Sequence, residues 1–128
     1  MKFKLPIIEE TFIEEGKIET KESYIDCELN LTIDAQQVWE DTFPELSKNI
    51  GLFDYVTRYK DLKITDAVTL GIALKMLYCF ILFDREMSFR QFVRMFSTAN
   101  DKYLQKLYGT ITNVLKAVNE RNESKKKH

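Results

Sequence analysis

Histidine occurs once in this sequence, as the last residue, His128. Nothing there would hold an imidazole in place, so a positioned general base or metal ligand of that type is missing. Cysteine occurs twice, at Cys27 and Cys79. Two isolated thiols and a terminal histidine fall short of the four closely spaced ligands of a structural zinc site. They also fall short of the dense disulfide framework of a small secreted domain. Both thiols are expected reduced and buried. The four glycines, Gly16, Gly51, Gly71 and Gly109, are scattered, which leaves no phosphate-cradling loop and no dinucleotide fingerprint. No cofactor and no metal are expected. The start of the chain has lysines but no apolar stretch and no small-residue cleavage site, so no signal peptide is read and a cytoplasmic protein is expected.

What is present is an ordinary globular composition. At 128 residues, 45% hydrophobic and 30% charged, the chain is long enough for one core and short for two. A single domain over residues 1–118 is expected, β-rich over 1–34 and helical over 35–118, with a polar tail at 119–128 that frays. The longest apolar run, residues 67–83, covers 17 positions, whereas a membrane span wants about 20. It carries Lys75 near its centre and Asp66 and Asp84 at its borders, so burial in a protein core is the better reading. No membrane association is expected.

The first third reads as extended. Residues 24–33 alternate strictly, with Ile25, Cys27, Leu29, Leu31 and Ile33 on one face. Phe3, Leu5 and Ile7 alternate too, but Pro6 lacks an N–H and confines that piece to an edge or an irregular arm. Between them, Phe12 and Ile13 precede Gly16, and Ile18 follows, which suggests a hairpin turning at the glycine. From Asp34, a plausible N-cap, the period becomes helical. Val38 with Thr42 and Trp39 with Phe43 stand four apart, and Pro44 interrupts or restarts the helix. A further stripe runs through Leu46, Ile50, Phe53, Val56 and Tyr59. Residues 61–63 read as a connection.

Thr65 or Asp66 can cap the all-round apolar helix to Phe83, which is expected to be central. Ser88 and Gln91 have capping-box spacing before a helix over 89–96. Asn100 or Asp101 starts a long last helix with Leu104, Tyr108, Ile111, Leu115 and Val118 along one seam. The fold class is α+β: a small N-terminal antiparallel sheet or hairpin beside a bundle of four to five helices.

No catalytic constellation emerges. The carboxylate pairs Glu9–Glu10, Glu14–Glu15 and Glu40–Asp41 are adjacent in sequence and do not converge, so a solvated acidic surface is the simpler reading. Cys79 reads as packing rather than nucleophile. Nucleic-acid binding has one feature in its favour: Arg85, Arg90, Arg94, Lys102 and Lys106 interleave with Phe89, Phe92 and Phe96. A sequence pI near 5.9 and a sparse basic face count against it. The simplest account puts the phenylalanines in the core and the arginines in water. Charge is uneven along the chain, eight acidic against four basic residues over 1–28 and four against ten over 85–128. Such asymmetry can steer one copy onto another. The aromatics Trp39, Phe43, Phe53, Tyr55 and Tyr59 can be hot spot or core, and core is preferred for Trp39. The last-helix seam is equally a packing stripe or a self-association surface.

The strand at 24–33, then Val38-Trp39-Glu40-Asp41-Thr42-Phe43-Pro44-Glu45, then the helix with Lys75-Met76-Leu77-Tyr78-Cys79-Phe80, resembles the tail assembly chaperones of long-tailed phages and prophages of Gram-positive bacteria. The resemblance covers residues 24–118 and does not extend to the acidic segment before Tyr24. It implies a small, mostly helical, self-associating protein without catalytic residues. Such a protein coats the tape measure protein in the host cytoplasm, promotes tail tube assembly and is absent from the finished virion. The implied partners are the tape measure protein, the tail tube protein and further copies of the chain. In that family a frameshifted longer form is common, and Lys125, Lys126 and Lys127 could be encoded by a slippery run. Trp39, Phe43, Pro44, Tyr59, Leu104, Tyr108 and Ile111 are the candidate partner-binding residues. The alternatives are a nucleic-acid-binding regulator using the basic 85–106 region, and an oligomeric structural component of the virion.

Overall fold

Two 13-residue strands, β1 (Lys2–Glu14) and β2 (Lys17–Leu29), form one continuous antiparallel hairpin. The computed structural model describes residues 2–82 and 86–126. The expectations placed on Phe83, Asp84, Arg85, Lys127, His128 and the side chains of Glu10 and Phe12 lie outside the described residues. Sequence alternation suggested three separate extended pieces. In the structure the pieces at 3–7 and 24–29 are opposite strands of a single ladder, with Leu5 facing Ile25 and Phe3 facing Cys27. The turn falls where expected, since Gly16 has φ 81°, a left-handed conformation that side chains with a Cβ resist. A register shift between Phe12 and Glu14 sits just before it.

Pro6 is in the edge strand, and the structure shows why the ladder tolerates it. The Tyr103 hydroxyl donates to the Pro6 carbonyl at 3.0 Å, and the Ile8 N–H donates to the Met95 carbonyl at 2.9 Å. Residues 6 and 8 thus turn their backbone groups outward, away from β2, and the N–H that proline lacks is one the ladder never uses.

The alternation in β2 ends at Leu29, four residues earlier than the pattern of apolar residues suggested. Asn30 makes the corner. Its backbone N–H donates to Phe80 O at 2.6 Å, its amide nitrogen to Asp34 at 3.1 Å, and its carbonyl oxygen accepts from the Thr32 hydroxyl at 2.7 Å and backbone N–H at 3.2 Å. Thr32, rather than Asp34, is therefore the N-cap of α1 (Ile33–Thr42). Ile33 stands 88% exposed on the first turn.

After α1 come a four-residue turn of helix, α2 (Pro44–Ser47), with proline at its first position, and α3 (Leu52–Arg58). The central helix α4 (Ala67–Phe80) starts at Asp66, whose carboxylate accepts from the Thr69 N–H at 2.8 Å while Thr69 Oγ1 accepts from the Asp66 N–H at 3.1 Å. It packs against α1, α3, α5 and α6, as its all-round apolar character requires. It ends at Phe80, short of the sequence expectation. Ile81–Leu82 form β3, which pairs with β2 at Leu29 and Glu28, so the sheet order is β1-β2-β3. The Ser88–Gln91 capping box is formed and opens α5 (Phe89–Val93).

The last helix, α6 (Asp101–Lys126), begins with the Asn100 side chain accepting from the Tyr103 N–H at 3.0 Å. It continues through the polar segment expected to fray, where Glu120, Arg121, Glu123, Lys125 and Lys126 are all good helix formers. Six helices are thus described, one more than expected. The core is a single cluster drawn from both layers, with Leu5, Cys27, Trp39, Leu52, Leu74, Phe80, Phe92, Leu107 and Ile111 among its members. Among the described residues no helix is long and apolar enough to cross a membrane.

Candidate interaction surfaces

The aromatic residues singled out in the sequence form a chain of ring contacts through the helical layer. Tyr59 meets Tyr55 at 4.9 Å between ring centres, Tyr55 meets Trp39 at 4.8 Å, and Trp39 meets Phe43 at 5.3 Å. Phe43 then contacts Phe89 at 4.8 Å, Phe89 contacts Tyr78 at 5.4 Å, Tyr78 contacts Phe92 at 5.6 Å, and Phe92 contacts Phe96 at 5.0 Å. Tilted and edge-on contacts of this kind stabilise beyond their buried area. The Tyr78 hydroxyl donates to the Met87 carbonyl and ties the approach to α5 onto α4.

Trp39 is 0% exposed, and its indole N–H donates to Ile50 O at 3.0 Å. Its polar handle is satisfied internally, so in this fold it serves the core and not a partner. Ile111 is likewise sealed, and Leu104 nearly so. Phe43, Tyr59 and Tyr108 are half-buried, and Pro44 is exposed. Among the residues assigned to partner binding, the structure brings half-buried Tyr108 and nearly sealed Leu104 together along one groove. With Ile64, Lys63, Thr65, Asp101 and Gln105 they line an open groove of about 450 Å³ between the 63–65 segment and α6. Val68, on the first turn of α4, is 72% exposed. The 61–63 connection had no periodicity to flag it, and its part in this groove is visible only in three dimensions.

The second surface is the far half of the hairpin. Every residue from Ile13 to Glu22 is exposed, Ile13 at 61% and Ile18 at 55% among them. At its root, Lys106 of α6 donates to Glu22 at 2.9 Å, and this contact raises the lysine's pKa. The Tyr103 hydroxyl beside it is pushed up by burial and, secondarily, by Glu22. Near the turn, Lys17 pairs with Glu14 at 2.9 Å.

A third surface is basic. Arg90, Val93, Arg94 and Lys102 are exposed, while Phe92 is sealed and Phe89 and Phe96 are half-buried. The interleaved pattern thus resolves into phenylalanines inward and arginines outward. Arg94, Met95, Phe96 and Ser97 face Ile7, Ile8 and Glu9 across an open groove of about 540 Å³.

No family model, no curated protein and no solved structure matches the chain. The chemistry of the site is therefore read from its own residues. Burial holds the Cys79 thiol up to about 12 and, with Asp26 adding to it, the Cys27 thiol up to about 11. At neutral pH both are protonated and poor nucleophiles. Glu40 and Asp41 are exposed, and Asp41 accepts from Gln37 at 2.9 Å. Among the described residues no cluster of three or more histidines, cysteines and carboxylates could hold a metal ion.

Proposed function

We propose that this chain is a polypeptide-binding assembly chaperone of the kind its sequence resembles, holding an apolar helical segment of a tape-measure-like protein during phage tail assembly. The observation that carries the reading is the groove beside α6. There half-buried Tyr108 and the largely buried Ile64 and Leu104 form the floor, with Lys63 and Asp101 at the rim, an apolar floor with a charged border such as an amphipathic helix fits.

Co-expression with a long, helical, tape-measure-like polypeptide tests the proposal. The wild-type chain is expected to keep that polypeptide soluble and to co-purify with it. A Tyr108→Glu variant, which places a charge in the groove, is expected to lose it while keeping the wild-type circular dichroism spectrum, the control needed because Tyr108 also packs against the core. Unchanged insolubility of the polypeptide with the wild type contradicts the proposal. Salt-sensitive binding to DNA or RNA through Arg90, Arg94 and Lys102 would favour the regulator instead, and recovery of the chain in purified particles would favour a structural component.

A further inference from the structure

Among the described residues, nothing covers the hairpin from Ile13 to Glu22. From the Glu9–Lys21 pair to the turn it reaches out by roughly 20 Å at strand spacing, with every residue from Ile13 to Glu22 exposed. A two-stranded ribbon without a covering layer is marginal in water, and this one shows Ile13 and Ile18 to solvent. Residues 9–21 carry five carboxylates, Glu9, Glu10, Glu14, Glu15 and Glu19, against two lysines. The complementary surface lies on the same molecule. Over residues 88–102, Arg90, Arg94 and Lys102 face a single carboxylate, Asp101. Between the two arginines sits Val93, 38% exposed, and beside them is the groove lined by half-buried Met95 and Phe96, largely buried Ile7 and Ile8, and the polar Glu9, Arg94 and Ser97.

We infer that the acidic arm of one copy docks on the α5 face and adjoining groove of a second copy. Ile13 lies over Val93 and the groove, and the Glu15 carboxylate at the turn and the Glu19 carboxylate, which shares the Thr11 face of the ribbon, meet Arg90 and Arg94. Apolar residues ringed by opposite charges give such a contact both its stability and its register. Direct pairing of two β1 edges is the competing arrangement. An antiparallel alignment beyond Ile8 would bring the Glu9–Glu10 stretches of the two copies together, and like charges directly opposite are destabilising. The inference goes beyond the proposed function and does not depend on it, because it concerns the purified chain alone.

Charge reversal on each side tests it, read by sedimentation velocity on full-length protein with far-UV circular dichroism as a control for folding. Wild-type protein is expected to self-associate at low salt and to weaken as salt rises, since exposed charge pairs are screened. Glu15→Lys/Glu19→Lys on the arm, and Arg90→Glu/Arg94→Glu on the face, should each weaken association by roughly ten-fold or more, as lost attraction turns to repulsion. Mixing the two variants should restore it, because the reversed arm of one then meets the reversed face of the other. Ile13→Asp should weaken association without any rescue by mixing. A monomeric wild type, an arm variant that associates like wild type, or a mixture that stays apart would each overturn the assignment.

Discussion

Trp39 shows how a residue with a strong interface reputation can be consumed by the fold. It is sealed, its N–H is bonded to Ile50 O, and its ring touches both Phe43 and Tyr55. Trp39→Ala is therefore expected to cost about 3–5 kcal/mol, the range for deleting a large aromatic from a core, measured by urea unfolding followed by circular dichroism. A loss below about 1 kcal/mol, as for a surface substitution, would place the ring at a surface instead. The cysteines give a pH signature. In the unfolded chain both thiols ionise near their ordinary value of 9.0, while the folded chain holds Cys27 to about 11 and Cys79 to about 12. Between those values the unfolded state has released protons that the folded state keeps, so stability is full below about pH 9 and falls as pH rises towards 11 and 12. Unfolding midpoints at pH 8 and pH 10 should show the decline, and Cys79→Ala should reduce it.

Among the elements, the long hairpin and the corner after it position everything else. Asn30 is 6% exposed, and its side chain bonds Asp34 and Thr32 while its backbone reaches Phe80. Asn30→Ala removes those partners and leaves the Thr32 hydroxyl and the Asp34 carboxylate without them at the entrance to α1. A cost of about 1–3 kcal/mol is expected, seen as a lower unfolding midpoint with an unchanged slope. A neutral result would mean that the corner is set by β3 pairing alone. The helical half of this architecture was legible in the sequence because its signals are local. Capping at Asp66 and Ser88, the proline opening α2, and the four-then-three seam of α6 each depend on neighbours a few residues apart. The sheet was less so. Alternation continues through Leu31 and Ile33, but pairing stops at Leu29 because Asn30 and Thr32 redirect the chain, and Ile81–Leu82 are indistinguishable by periodicity from the apolar helix they follow. The arm's separation from the body was barely legible. Its sequence leaves only a trace, a run from Glu19 to Ser23 with no apolar residue for either face to bury, and only the tertiary fold shows where the packed half ends. At the site, the four-then-three seam contains Leu104 and Tyr108, which line the groove, while the loop that completes the groove carries no pattern at all.

For the molecule as a whole, the account assigns different faces to different tasks. A sealed aromatic core holds the helices, while in the two proposals an acidic arm and a basic face join copies and the groove at α6 receives the partner. The charge asymmetry read along the sequence thus becomes a spatial polarity, with the Lys106–Glu22 pair as the point where the two signs already meet within one chain. Hydrogen exchange, comparing the free chain with the complex co-purified from cells expressing the tape-measure-like polypeptide, tests this division most directly. The account predicts added protection at residues 63–68 and 101–108, with the Trp39–Phe43 stretch unchanged. Protection centred on residues 39–43 with the groove unaffected would contradict it.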